Sequence, residues 1–301
     1  MQARESFAAG RDGTRIWWRE AGAGRTPVLC TDGVGCAGYV WDRLFPWLAR
    51  SRRVLHWNYR GHGNTPPPAD PARCTLRDCV DDVIAVLDAA GERRAVLAGH
   101  SMGVQVSLEV HRRAPERVAG LILLCGSPSR PLETFHGSAA LGRVFPWLRD
   151  LVLAFPGLAG HAFRRLVPSE LAMQVGLWLE VNRQLVRRED LRRYFDDLSR
   201  VDPASFVRLL DSAAEHDATD HLPAVDVPAL VVGGERDTFT PLALSERMHR
   251  AIPGSEMLVL PAGSHMGPLE HQELVQLRLE KFLAERVDRR LRSVAPAPDA
   301  A

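Results

Sequence analysis

The chain has 301 residues, 46% of them hydrophobic and 25% charged, with 38 basic against 37 acidic side chains and a formal net charge of +1. These are the proportions of an ordinary soluble protein, long enough for one large α/β domain or for a core domain carrying an insertion. The neutral balance and the lack of any Lys/Arg run remove the electrostatic case for nucleic-acid binding.

In chain order, apolar runs predict strands at 6–9 and 15–19, joined through Asp12-Gly13 as an antiparallel hairpin, then at 27–31, 53–58, 95–99, 120–125, 229–233 and 256–260. Helical spacing predicts helices at 39–49, 76–90, 102–114, 241–251 and 269–292. The alternation predicts an α/β fold: a mostly parallel eight-stranded sheet flanked by helices. From 127 to 223 the alternation stops, and an Arg-rich helical pattern with Phe145, Trp147, Phe155, Phe163, Trp178, Tyr194, Phe195 and Phe206 predicts an inserted helical subdomain. The expected organisation is a core made of 1–126 and 224–292, the insertion 127–223 and a disordered Ala/Pro-rich tail 293–301.

Five cysteines (Cys30, Cys36, Cys74, Cys79, Cys125) lie without CxxC spacing and read as neutral thiols of a reducing compartment. Residues 1–10 carry no apolar leader core, and the apolar stretch 151–163 is too short to span a bilayer. A cytoplasmic location without stable membrane insertion is expected.

The strongest chemical signal is Gly99-His100-Ser101-Met102-Gly103, which follows the strand at 95–99 and opens a helix. A serine on such a turn has its hydroxyl exposed at the sheet edge, and the helix start offers free N–H groups to a developing oxyanion. Serine needs a base. Downstream, the strand at 229–233 runs into Glu235-Arg236-Asp237, and the strand at 256–260 runs into Gly263-Ser264-His265. The order Ser, Asp, His, with both partners on loops after successive strands, is that of a nucleophile, an orienting acid and a base. Asp237 is preferred to Glu235 as the acid. His62 reads as a loop brace, His100 as a packing residue, and His249 and His271 as helix surface or packing.

These features, with Asn58-Tyr59-Arg60-Gly61-His62-Gly63 after the fourth strand, resemble the α/β-hydrolase superfamily, in the group with a helical cap after strand six. The resemblance covers residues 5–290. It implies that Ser101 is the nucleophile, His265 the general base and Asp237 its support, with the N–H groups of Met102 and Val34 as the oxyanion hole. One departure stands out: Thr31-Asp32-Gly33-Val34 replaces the usual His-Gly after strand three. An ionised Asp32 aimed at the oxyanion would oppose catalysis, so it is expected to point away and accept backbone N–H bonds, with substrate contact as the alternative. Cys36 is expected near the pocket without a nucleophilic role.

No cofactor or metal is expected, since no phosphate cradle, dinucleotide fingerprint or ligand cluster accompanies the triad. The apolar residues of 145–163 and 171–185 are expected to roof a pocket for a small hydrophobic acyl or aryl ester or thioester. The same triad would serve C–C bond hydrolysis, haloperoxidase-like chemistry or acyl transfer, and a non-catalytic ligand receptor on this fold is the remaining alternative. Serine at the elbow counts against dehalogenases and epoxide hydrolases. The sequence carries no sign of oligomeric state.

Overall fold

The structure, a computed structural model, describes residues 3–133, 138, 140–172, 174 and 187–294. Its strands are β1 (Arg4–Ala9), β2 (Arg15–Ala21), β3 (Val28–Thr31), β4 (Val54–Trp57), β5 (Ala95–His100), β6 (Val118–Leu124), β7 (Ala229–Gly234) and β8 (Glu256–Leu260). They form one sheet in the order β1-β2-β4-β3-β5-β6-β7-β8. β2 is antiparallel to both β1 and β4, and every pairing from β4 through β8 is parallel. This is the eight-stranded, mostly parallel sheet expected from the strand pattern.

Side chains of the central strands alternate between two apolar layers, as the two-residue period of a strand requires. Leu97, Leu121, Leu123 and Val231 pack with α2 (Leu76–Ala89), α3 (Met102–Arg113) and the helix that follows β7. Val96, Ile122, Leu124 and Leu230 face the other way, with α1 (Leu44–Leu48) and the C-terminal helices. Both faces are therefore covered, which is why these strands are apolar throughout. Each buried Leu, Ile or Val contributes roughly 1.5–3 kcal/mol.

Between β6 and β7 lie α4 (Ala140–Ala154), α5 (Pro156–Leu166), α6 (Arg188–Ser199) and α7 (Pro203–Glu215). They add no strand to the sheet among the described residues. An isolated bridge between Ser129 and Asp217 ties the two ends of this region together. α4 and α7 share a small core of Leu132, Phe145 and Val207, backed by Leu141, Val152 and Phe206. Trp178, and most of the 171–185 stretch expected to roof the pocket, lie outside the described residues.

Two helices differ from the sequence pattern. The 39–49 helix resolves into a 3-10 turn, Tyr39–Trp41, and α1. Pro46 has no N–H to continue a helix begun at Tyr39, whereas in the first turn of α1 none is needed. After β7 comes α8 (Leu242–Ala251), and after β8 the expected single helix becomes α9 (Gly267–Glu270), α10 (Gln272–Phe282), a π-wide stretch Leu283–Asp288 and α11 (Arg289–Val294). Ser293 and Val294 thus close a helix, and the rest of the expected disordered tail lies outside the described residues. No described helix is long and apolar enough to cross a membrane.

Candidate active site

Ser101 sits between β5 and α3 with φ 55°, a left-handed conformation for a non-glycine residue. Such backbone strain persists only where the surroundings enforce it. Here the Ser101 N–H donates to Leu124 O at 3.0 Å, and the flanking glycines let the turn close. A Cβ on Gly99 would lie 2.1 Å from Gly103 O, and one on Gly103 would lie 2.5 Å from Thr31 O. No side chain larger than hydrogen fits either position without moving the backbone.

The loops after β7 and β8 are pinned to each other by Arg236 N–H donating to Gly263 O at 2.8 Å. This places His265 between the other two residues: Nε2 is 2.9 Å from Ser101 Oγ, and Nδ1 is 3.0 Å from Asp237 Oδ2. Asp237 is buried, which pushes its carboxyl pKa up, yet His265 and the Thr240 N–H and hydroxyl together hold it below the ordinary value. Its Oδ1 accepts from the N–H groups of Phe239 at 2.9 Å and Thr240 at 2.8 Å, and Oδ2 accepts from the Thr240 hydroxyl at 2.8 Å. Glu235 instead accepts from Ala262 N–H at 2.8 Å. Of the two acids left open by the sequence, only Asp237 meets the imidazole.

The loop after β3 runs beside Ser101, where a Cβ on Gly33 would come within 3.0 Å of the serine Cβ. Met102 N–H, in the first turn of α3, and Val34 N–H have no protein acceptor among the described residues. The loop is braced from the segment after β4: the Tyr59 hydroxyl donates to Asp32 O at 2.6 Å, and Gly35 N–H donates to His62 Nε2 at 3.1 Å. His62 Nδ1 donates in turn to Arg60 O at 2.9 Å, so the ring must be neutral, and burial lowers its pKa to about 4.

Asp32 departs from expectation in its partner. Its carboxylate accepts from His56 Nε2 at 2.8 Å, with both side chains buried, rather than from backbone N–H groups. It does not line the cavity, so the substrate-contact alternative is not met. His100 donates from Nε2 to His265 O at 3.0 Å. His249 bonds the Ser255 hydroxyl in the loop after its own helix, His271 immediately precedes α10, and neither lines the cavity beside Ser101.

Ser101 and His265, but not the buried Asp237, open into a cavity of about 220 Å³. Its walls are largely apolar: Leu132, Leu141, Tyr194, Phe206, Leu210 and Met266. The roof differs from the sequence reading. Phe145 turns into the core between α4 and α7, and Phe163 packs on Phe206 at 6.0 Å between ring centroids, so neither reaches the cavity. Cys36 lines it with Sγ 3.6 Å from Val34 O. All five cysteines are buried and free, and burial pushes the Cys74 thiol up to about 12. Thr240, Glu270 and Phe239 had no signal in the sequence. Glu270 accepts from Ser264 N–H at 2.7 Å, fixing the His265 loop, and Phe239 stacks on the imidazole at 4.9 Å.

Residues 26–272 match the family model described as alpha/beta hydrolase fold. The chain belongs to the α/β-hydrolase fold family. This α/β hydrolase is 33% identical over 272 residues to the dihydrolipoyllysine-residue acetyltransferase component of the acetoin cleaving system of Pseudomonas putida. That match covers 89% of this chain but 66% of the relative, which is longer. It is 30% identical over 290 residues to 2-hydroxymuconate semialdehyde hydrolase of a Pseudomonas species, covering 94% of each. A third relative, pimeloyl-[acyl-carrier protein] methyl ester esterase of Neisseria meningitidis, is 29% identical over 253 residues, 82% of this chain and 88% of that protein. With this family and these relatives, the α/β hydrolase is an enzyme of the hydrolase class.

Proposed function

We propose that the protein hydrolyses carboxylic esters or thioesters of small hydrophobic acyl or aryl compounds through an acyl-enzyme on Ser101. The observation that carries this reading is the continuous relay from Ser101 Oγ through His265 to Asp237, at 2.9 and 3.0 Å, opening into an apolar cavity. In the proposed cycle Ser101 Oγ attacks the carbonyl carbon while its proton passes to His265 Nε2. Asp237 stabilises the imidazolium and holds the tautomer whose Nε2 can accept. The N–H groups of Met102 and Val34 take the oxyanion. Collapse expels the alkoxide or thiolate, which receives the proton from His265. Water deprotonated by His265 then attacks the acyl carbon and releases acid and enzyme. The core at 1–126 and 224–292 aims the serine, and the helical insertion 127–223 selects what reaches it.

The near full-length match to a semialdehyde hydrolase favours one second reading, C–C bond hydrolysis by the same three residues. Ser101→Ala is expected to abolish turnover of p-nitrophenyl butyrate without lowering Tm, and retained turnover would overturn the assignment. A wild-type enzyme that reacts with a fluorophosphonate probe yet cleaves no ester of a graded acyl series moves the proposal to the C–C substrate.

A further inference from the structure

α4 is apolar around far more of its circumference than a helix with one packed face needs. Leu141, Phe145 and Val152 face the cavity and the core shared with α7. On the other side, Val144, Trp147, Leu148, Leu151 and Phe155 follow one another at helical spacing and are all exposed, Trp147 by 72% and Phe155 by 57%. α5 continues the pattern with Leu158, exposed by 70%, and Leu166. Isolated exposed leucines are unremarkable, but a row of this length, with a tryptophan in it, marks a surface that meets something apolar.

The charges beside the row say what. Arg149 is bound to Asp150 and to Asp211, so that the one acid on α4 is already neutralised. Arg143, Arg164 and Arg165 are exposed around the apolar row, against Glu170 as the remaining acid of this stretch. An apolar helix face bearing Trp and Phe and rimmed by arginine suits the boundary of a bilayer, where rings lie among headgroups and cations meet lipid phosphates. We propose that the outer face of α4 and α5 docks the protein peripherally on an anionic lipid surface, with the cavity directly behind the docked helix. This does not depend on the proposed ester chemistry, because α4 lies on lipid whatever bond is cleaved.

The test is co-sedimentation with vesicles of phosphatidylcholine alone and of phosphatidylcholine containing one third phosphatidylglycerol. The expected result is binding to the anionic vesicles, weakened by high salt. Trp147→Ser/Leu151→Ser is expected to weaken it at least about tenfold, and Arg143→Gln/Arg165→Gln about fivefold per charge removed. None of these residues lines the cavity, so turnover of a soluble substrate should stay unchanged. Brominated lipid should quench the part of the fluorescence that Trp147→Phe removes. Absence of wild-type binding, or equal binding by the serine variant, overturns the proposal. So does a dimer in light scattering that Trp147→Ser/Leu151→Ser dissociates while vesicles stay unbound, since the face would then be a self-interface.

Discussion

Asp237→Asn tests the relay at its most specific point, because the surroundings dictate how the amide must sit. Oδ1 of the native carboxylate faces two backbone donors, Phe239 N–H and Thr240 N–H. The asparagine oxygen must stay there, since its NH2 group would otherwise be set against both. The amide nitrogen therefore replaces Oδ2, where the Thr240 hydroxyl can rotate to accept one hydrogen, and the other points at His265 Nδ1, 3.0 Å away in the native enzyme. His265 is forced to accept at Nδ1 and to carry its hydrogen on Nε2, 2.9 Å from Ser101 Oγ. In the proposed cycle the base has then become a donor, and the charge proposed to stabilise the imidazolium is gone. For a triad acid replaced in this way the expected loss is about 10⁴-fold in kcat, or roughly 5 kcal/mol of barrier. KM should change little, since Asp237 does not line the cavity. The assay is steady-state hydrolysis of p-nitrophenyl butyrate, with Tm measured on the same preparations. A kcat within about tenfold of wild type would refute the tautomer argument.

Two further outcomes follow from buried charge. His62 and His100 are buried, and burial lowers both pKa values from 6.5 to about 4. The unfolded chain therefore binds protons that the folded chain refuses: stability is complete above pH 6.5 and is lost as pH falls from there towards 4. Each histidine accounts for roughly 3 kcal/mol across that window, so Tm should fall steeply on acidification, and His62→Gln, whose side-chain oxygen can still accept from Gly35, should flatten the slope by about one proton. A Tm independent of pH between neutrality and the folded-state pKa values would contradict this. Arg60, fully buried, donates to both oxygens of Asp82 at 2.7 and 2.8 Å and to Asp12 at 2.8 Å. Arg60→Met strands the Asp82 carboxylate without its partner and should cost about 3–5 kcal/mol, read as a drop of about 10 °C in Tm. Adding Asp82→Leu should recover most of it, and an unchanged Tm in the single variant would show that the pair adds nothing.

What the sequence could and could not carry follows from how far apart the determinants lie. The turn around Ser101 is written within five residues, because Gly99 and Gly103 remove the side chains that would collide with the backbone. Likewise, strand ends place Asp237 and His265, so their order along the chain already predicts their meeting. The partner of Asp32 is a different kind of fact. His56 belongs to β4, and it comes alongside because Cys30 pairs with His56 in the parallel register of β3 and β4. No local pattern specifies a parallel register, so a carboxylate expected to bond its own loop finds an imidazole on the next strand instead.

The same reasoning explains the braces and the roof. Tyr59 and His62 reach the loop after β3 only because the sheet sets the two loops side by side, and Thr240 is a partner of Asp237 because the backbone turns back at Phe239. In the helical insertion the apolar pattern marks a surplus of apolar residues, but not which of three places each one takes: the cavity wall, the insertion's own core, or the exposed outside of the molecule. Leu141, Phe145 and Trp147 lie within seven residues of one helix and take those three fates in turn. A four-residue step keeps Phe145 on the side of Leu141, while two more residues carry Trp147 across the axis. The excess of apolar surface on α4, read in the sequence as pocket lining, is therefore divided between the cavity and the outside of the molecule. The division is what makes lipid the expected environment for the outer half.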